Sequence, residues 1–363
     1  MVKVNFKKIE VLKAKYRYSI REIVDDFLNK KLDKEVRDFA KNELGIETVF
    51  KSFDLSKVDF SKNNFEEPQV GLNDLYRRVA KKTLSCTKPE KIDLLITIND
   101  NQQYLDPSPT VELIPKLGLK KNIRTQNFQG LACSSLSEAI LNSAGNFRLG
   151  NTDSLVLIGT YYTPWFLDRI KQIKHISKKD KSNFYNLIYF LIFSDVVGAT
   201  VLSQKRSQAS IQIDSDFILT LKDTTKRGYD KATLKLSPDV KNRIIFDMKL
   251  NPSRLREMTA NLSFENLRLL KQKMPRDYEK IKIWGFHTAG KSFVDYITQK
   301  CRIEKSQAKL TYDLMRETGN TGAVSSLQFM KKVVDKKLLS QNSLGCFFDY
   351  GWEGVNLLPF KKL

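Results

Sequence analysis

Two hydrophobic rhythms alternate along the chain. EIVDDFLNKKLDKEVRDFAKNELG (22–45) spaces its apolar residues three and four apart, which predicts one amphipathic helix closed by Gly45. LNDLYRRVAKKTLS (72–85) repeats that spacing, and KIDLLITIND (91–100) then becomes a run of branched residues, the mark of a strand buried on both faces. DPSPT (106–110) breaks the chain before a short helix in VELIPKLGL (111–119). SLVLIGTYY (154–162) and VVGATVLSQ (196–204) predict two more buried strands. RIIFDMKLNPSRLREMTANLSFENLRLL (243–270) passes from strand to helix, KIKIWGFHTAG (280–290) from strand to turn, and SSLQFMKKVVDKKL (325–338) is helical. GCFFDYGWEGVNLLPF (345–360) reads as two strands around a glycine turn.

Strands and helices alternate throughout, which predicts an α/β protein with helices covering mixed sheets. No short solenoid repeat is visible. The clearest compositional break is the polar QKRSQASIQIDSD (204–216), which divides the chain into 1–204 and 205–363. At 363 residues, 41% of them hydrophobic, the chain can bury a substantial core. The opening MVKVNFKKIEVLKAKYRYS has no signal-peptide apolar stretch, and the run around 187–193 is far too short to span a bilayer. The expectation is a cytoplasmic protein with no membrane span.

The formal charge of +21 favours polyanionic partners, among them nucleic acid, a membrane surface, nucleotide phosphates or an acidic protein. The lysines are dispersed and not interleaved with aromatics as in a single-strand binder, so nucleic-acid binding would rest on charge alone. A lysine-rich solvated surface explains most of the excess. Cys86, Cys133, Cys301 and Cys346 are scattered, with no CxxC and no His/Cys cluster, which argues for reduced thiols and no metal site.

Cys133 differs from the other three in its setting. It follows FQGLA and precedes SSLSEAILNSAG (134–145), a helix with apolar or small residues at 136, 139, 140 and 144 and Gly145 at its expected end. A thiol at a helix N-terminus meets unpaired N–H groups and the positive end of the dipole, which favour the thiolate. A small buried residue filling a strand–helix joint is the commoner use of such a cysteine. Of the two histidines, His175 sits in the basic IKQIKHISKKDK and reads as surface, whereas His287 ends an apolar strand, where α/β proteins gather catalytic groups. Asn320 lies in ETGNTGAVSSL (317–327) next to a glycine before a helix, a position that also suits a plain turn or N-cap.

In this order, Cys133, His287 and Asn320 resemble the Cys–His–Asn set of thiolase-fold condensing enzymes, in particular β-ketoacyl-ACP synthase III and its chalcone-synthase-like relatives. LGIETVF (44–50) resembles their "TGI" segment, and the stretch 92–121 resembles the strand, proline turn and "LG" helix that lead to the nucleophile. DSLVLIGTYY (153–162) is similar to the strand after the nucleophile's helix. FSDVVGATVLS (193–203) is similar to "FGDGAGAxVL", keeping Phe193, Asp195, Gly198, Ala199, Val201 and Leu202. GFHTAGKSFVDYI (285–297) resembles "PHQAN…I", ETGNTGAVSSL resembles "xxGNTSAAS", and FDYGWEGVNLLPF (348–360) stands where the "FGGG" loop and last strand belong.

The resemblance implies a thiolase fold, two pseudo-repeated βαβαβαββ halves in a layered αβαβα sandwich, assembled as a homodimer. The half 1–204 would carry the nucleophilic cysteine, and 205–363 the histidine and asparagine. It also implies that Cys133 takes an acyl group from an acyl-CoA or acyl-carrier-protein thioester, with no permanently bound cofactor. His287 and Asn320 would hydrogen-bond the carbonyl of a malonyl unit as it loses CO2, and backbone N–H groups of Cys133 and Gly351 would form the oxyanion hole. An acidic acyl carrier protein and coenzyme A thioesters would be the partners of the basic surface. Other readings are a non-decarboxylating acyltransferase, a non-catalytic subunit of a heteromeric synthase, and an aldol condensation of the HMG-CoA synthase kind, for which Asp100 is the one acid at hand. Three departures stand out: Ser194 and Val196 replace signature glycines, Asp349-Tyr350-Gly351 replaces a glycine run, and Val49 replaces an arginine. They point to a specialised fatty-acid or polyketide enzyme with a reshaped pocket.

Overall fold

A computed structural model gives the fold, and it describes residues 2–62, 68, 70–99, 108–130, 132–223, 232–238, 244–351 and 354–363. Asp100 and the first part of the DPSPT break lie outside the described residues. The strands, in chain order, are β1 (Lys3–Lys13), β2 (Tyr16–Ser19), β3 (Thr48–Lys51), β4 (Ile92–Asn99), β5 (Arg124–Gln129), β6 (Asp153–Thr160) and β7 (Val196–Ser203). They continue with β8 (Ile211–Asp214), β9 (Leu219–Lys222), β10 (Ala232–Pro238), β11 (Ile244–Leu250), β12 (Ile281–Phe286), β13 (Leu344–Tyr350) and β14 (Gly354–Lys362). Ten of them join in the order β12-β13-β14-β8-β1-β7-β6-β4-β5, with β9 beside β14.

The pairing repeats itself. β4 runs parallel to β6, β6 antiparallel to β7 and β7 antiparallel to β1. Likewise β12 runs parallel to β13, β13 antiparallel to β14, and β14 antiparallel to β8 and β9. β8 lies inside the polar stretch 204–216 and pairs with both β1 and β14, so it stitches the two sets into one sheet.

Strand side chains alternate between faces, and the alternation builds the layers. Ile96, Ile98, Val156 and Ile158 pack with the helix Ser135–Arg148, while Leu95, Leu155, Leu157 and Val201 pack on the opposite face with the helix Leu72–Thr83. Phe347, Leu358 and Phe360 turn inward to the same core as Ser135–Arg148 and the helix Ser325–Asp335, whereas Trp284, Phe286, Phe348 and Leu357 meet the helices Pro252–Lys273 and Lys291–Cys301 outside. Two helices are thus held between the two halves of this sheet, which are themselves covered by helices, an αβαβα sandwich. Among the described residues no helix is long and apolar enough to cross a membrane.

The structure revises several elements read from the sequence. The helix expected over 22–45 is broken: a π-turn covers Ile23–Phe27, and a helix restarts only at Lys34–Asn42 behind Asp33. The intervening Lys31 ammonium reaches away to the carbonyls of Ile170, Lys171 and Ile173, contacts that no local spacing encodes. The helix expected to end at Gly145 continues to Arg148. The opening segment, read only for its lack of a leader, forms the central strand β1.

One crossing ties the helix Lys181–Ile192 to the turn before Ser325–Asp335. Asn320 N donates to Ile192 O (2.7 Å) and Ser194 N to Asn320 O (2.9 Å), a parallel bridge between Phe193 and Asn320. Ser194, where a glycine was expected, uses its hydroxyl to donate to Thr318 O (2.6 Å) and to accept from Phe50 N (2.9 Å). Asp195 accepts from the backbone N–H of Ser52 and of Thr163, both at 2.9 Å. Beside it the fully buried Lys51 donates to Phe193 O (2.7 Å) and to Phe190 O, capping the end of that helix, and burial pulls its pKa down to about 8 against the pull of Asp195. Val49, in place of the expected arginine, is buried against Gly319.

Gly319 sits at φ +66, and a Cβ there would lie 2.5 Å from Ile192 O. Gly319→Ala is therefore expected to cost about 1–3 kcal/mol of stability through backbone strain and displacement of the crossing, measurable by urea denaturation. A variant as stable as wild type would show that the crossing tolerates the shift.

Candidate active site

Cys133 lies in a 3-10 turn, Ala132–Ser134, that feeds directly into the helix Ser135–Arg148. That helix is fastened at its start by the β13–β14 hairpin. The Asp349 carboxylate accepts from the backbone N–H groups of Leu136 and Ser137, and Asn356, its cross-strand partner, donates to Ser134 O (2.8 Å). The helix N-terminus credited above with stabilising a thiolate is therefore already occupied by a buried carboxyl group, one that burial pushes well above the usual range. A neutral Asp349 leaves the dipole to Cys133, whereas an ionised one would oppose the thiolate.

His287 follows β12 and is held at both ends of its own backbone. Its N–H donates to Phe348 O (3.1 Å), and its carbonyl accepts from the Tyr350 hydroxyl (2.7 Å). The Tyr350 ring meets the imidazole edge-on, with centroids 5.2 Å apart. Tyrosine in place of a glycine run thus acts as a brace for the histidine as well as a cavity wall. Burial and then the nearby Cys133 push the Tyr350 phenol well up, so it remains a hydrogen-bond donor. Burial also pulls His287 down to about 3, only partly offset by the Gly322 carbonyl, which makes the resting imidazole neutral.

Asn320 is oriented by its own turn. Its side-chain oxygen accepts from Gly322 N (2.9 Å), which leaves the NH2 end of the amide as the group free to serve a ligand. Thr160 anchors the same turn from β6, its hydroxyl donating to Thr321 O (2.8 Å).

These elements bring Cys133, His287 and Asn320 onto the wall of one cavity of about 300 Å³. Tyr350 and Gly351 close it on one side, and Phe184, Ile188, Ile192 and Phe193 supply an apolar wall on another. The spacing of 184, 188 and 192 is one face of a helix whose sequence offers no chemistry, so only the fold marks those residues as part of the site. His175 is exposed, with its Nε2 2.8 Å from the Asp33 carboxylate and away from this cavity, in keeping with its reading as a surface residue. The Gly351 N–H, expected to serve an oxyanion, donates to Gly354 O (3.0 Å).

The other thiols are poor nucleophiles. Burial pushes Cys301 up to about 12 and Cys346 well above the usual thiol value, and Cys86 is also raised. Cys133 alone among the cysteines borders the cavity with a neutral histidine beside it on the wall.

No family profile matches the sequence, and no curated protein is similar to it in sequence. Solved structures are similar in fold. A cysteine-to-serine variant of Xanthomonas campestris OleA with bound lauric acid and lauroyl-CoA superposes with a TM-score of 0.78 at 15% identity, covering 99% of this chain and 98% of that one. The chain has the thiolase fold. A cerulenin-bound form of the same OleA gives 0.78 at 16% identity over 99% and 96% of the two chains, and an isoleucine-to-phenylalanine mutant of CsyB gives 0.80 at 16% over 99% and 100%. These neighbours are thiolase-fold condensing enzymes, in agreement with the resemblance read from the motifs.

The buried neutral imidazole has a consequence for stability. The folded protein holds His287 unprotonated down to about pH 3, whereas the unfolded chain binds a proton below its ordinary 6.5. Stability from this group is complete above pH 6.5 and falls as the pH drops from there towards 3. His287→Asn should lose that part of the slope in a pH series of urea midpoints. Identical slopes for the two proteins would contradict a buried neutral ring.

Proposed function

We propose that the protein is a β-ketoacyl synthase III-like condensing enzyme of specialised fatty-acid or polyketide synthesis. Cys133 takes an acyl group from an acyl-CoA or acyl-carrier-protein thioester, and the acyl-enzyme undergoes Claisen condensation, decarboxylative with a malonyl-thioester and by loss of a C2 proton with a β-ketoacyl-thioester. The observation that carries this reading is the convergence of Cys133, His287 and Asn320 on one largely apolar cavity.

Each step has a physical basis. A thiolate on Cys133 attacks the thioester carbonyl, and the acyl chain lies against Phe184, Ile188, Ile192 and Phe193, which exclude water from the intermediate. Loss of CO2 from a malonyl unit leaves an enolate oxygen, and the Asn320 amide is fixed to donate to it. Donors of this kind are worth roughly 2.7–4 kcal/mol of barrier each in other enzymes. The enolate carbon then attacks the Cys133 thioester and the new β-keto product leaves. The acyl and phosphopantetheine groups arrive as substrates, with no resident cofactor.

Two partners belong to this proposal. Pro252 and Leu255 of the cavity wall stand on the same helix as Arg254 and Arg256, and Lys291 lines the wall itself, which suits a carrier that is acidic or brings phosphates. A second copy of the chain fits the β5 edge of the sheet, beside exposed Leu141 and Leu149. The neighbours' acyl-CoA and acyl ligands agree with the substrate class.

Intact-mass spectrometry after incubation with a panel of acyl-CoAs should show one added acyl chain on the wild type and none on Cys133→Ala. Malonyl-carrier protein should then discharge the acyl-enzyme with release of CO2; discharge without CO2 would make the protein a simple acyltransferase, and no acylation by any donor would sink the nucleophile assignment. Light scattering should give a dimer for the wild type and a monomer for Leu141→Glu/Leu149→Glu. A monomeric wild type would remove the β5 assignment.

A further inference from the structure

A buried chain of hydroxyl and amide groups runs behind His287, and its proton count is determinate. Thr318 Oγ1 donates to Leu314 O (2.6 Å) and accepts from Gln328 Nε2 (3.0 Å). The Gln328 oxygen accepts from the Thr321 hydroxyl (2.9 Å). Ser325 Oγ touches His287 Nδ1 (2.8 Å), the Gly322 carbonyl oxygen and, more distantly, Thr288 Oγ1 (3.3 Å) and Thr321 Oγ1 (3.4 Å).

Ser325 has one proton to give. A carbonyl oxygen can only accept, so the short contact with Gly322 O claims that proton. The contact with His287 must then be made with the ring nitrogen as donor, which places a hydrogen on Nδ1. The Ser325 contact therefore selects the Nδ1–H tautomer, and Nε2 carries the lone pair.

We propose that Ser325 is a positioning residue that locks His287 in the Nδ1–H tautomer, making Nε2 the proton acceptor for Cys133 during acyl loading. The inference rests on the acyl-transfer reading above for its use, and on the hydrogen-bond geometry alone for the tautomer. The step balances. The Cys133 S–H proton moves to Nε2, giving thiolate and imidazolium. The thiolate forms the new S–C bond, the old C–S bond breaks with its electron pair on the leaving sulfur, and that sulfur takes the proton back from Nε2. Nδ1–H stays on Ser325 throughout. In this tautomer the neutral ring cannot donate from Nε2 to an enolate, so in the condensation step Asn320 supplies the standing donor.

The chain has only two histidines, which makes the tautomer directly readable. Protein labelled with 15N-histidine, with His175→Gln to assign the signals, should show His287 protonated at Nδ1 and unprotonated at Nε2 near neutral pH. Ser325→Ala should shift His287 towards the Nε2–H form and slow iodoacetamide alkylation of Cys133 by about ten-fold or more, while Ser325→Thr, which keeps a hydroxyl, restores both. An Nε2–H ring in the wild type would overturn the proposal, and that spectrum decides even if Ser325→Ala fails to fold. Unchanged tautomer and alkylation rate in a folded Ser325→Ala would overturn it as well. If the Nδ1–H tautomer and the Ser325 effect are found while no acyl donor loads Cys133, the positioning role stands and the condensing-enzyme reading falls.

Discussion

The crossing between the end of the helix Lys181–Ile192 and the turn at Thr318–Gly322 is the constraint on which the rest of the site depends. It carries two backbone hydrogen bonds and the two bonds of the Ser194 hydroxyl, the one to Thr318 O fully buried and the one from Phe50 N partly so. Breaking any one would leave a buried polar group unsatisfied at a cost of about 1–3 kcal/mol. The same crossing sets two faces of the cavity together. One is the apolar wall of Phe184, Ile188 and Ile192, and the other is the polar group, Asn320. A substrate site needs both, and here one set of hydrogen bonds fixes their separation.

A second tie works on the opposite side of the cavity. The β13–β14 hairpin holds the start of the Cys133 helix through Asp349 and Asn356, and the same hairpin braces His287 through Tyr350. Cys133 and His287 are thus attached to one hairpin, which is how a thiol and an imidazole from distant parts of the chain can be held in a fixed relation. The departures from the glycine-rich pattern belong to this hairpin and to the crossing. Asp349, Tyr350 and Ser194 each replace backbone freedom with a side-chain hydrogen bond. A site built this way is stiffer than one lined by glycines, and its specificity is set in side chains.

The buried titratable groups divide by surroundings. His287 is neutral because burial penalises its cation more than the Gly322 carbonyl stabilises it. Lys51 is also depressed by burial, yet it keeps helix-end carbonyls as partners and an aspartate nearby, and so serves as a cap. Burial raises Cys301 and Cys346, which favours the protonated thiol over the reactive thiolate at both.

The sequence by itself determined the architecture. Branched runs at 91–100, 154–162 and 196–204 predict strands covered on both faces, and the resemblance of the surrounding motifs to condensing enzymes singled out Cys133, His287 and Asn320 as the expected site residues. Those signals are local, because they depend on the pleat, on helical spacing and on residue chemistry. Only the tertiary structure decided what depends on groups far apart in the chain. It broke the helix expected over 22–45, at a stretch where the Lys31 ammonium meets carbonyls at 170–173. It recruited a featureless helix face as the apolar wall of the cavity, gave the Cys133 helix N-terminus to Asp349, and committed the Gly351 N–H to Gly354. The tautomer of His287 is of the same kind: it is fixed by where one serine proton goes, and that is settled by a carbonyl brought within reach only when the chain has folded.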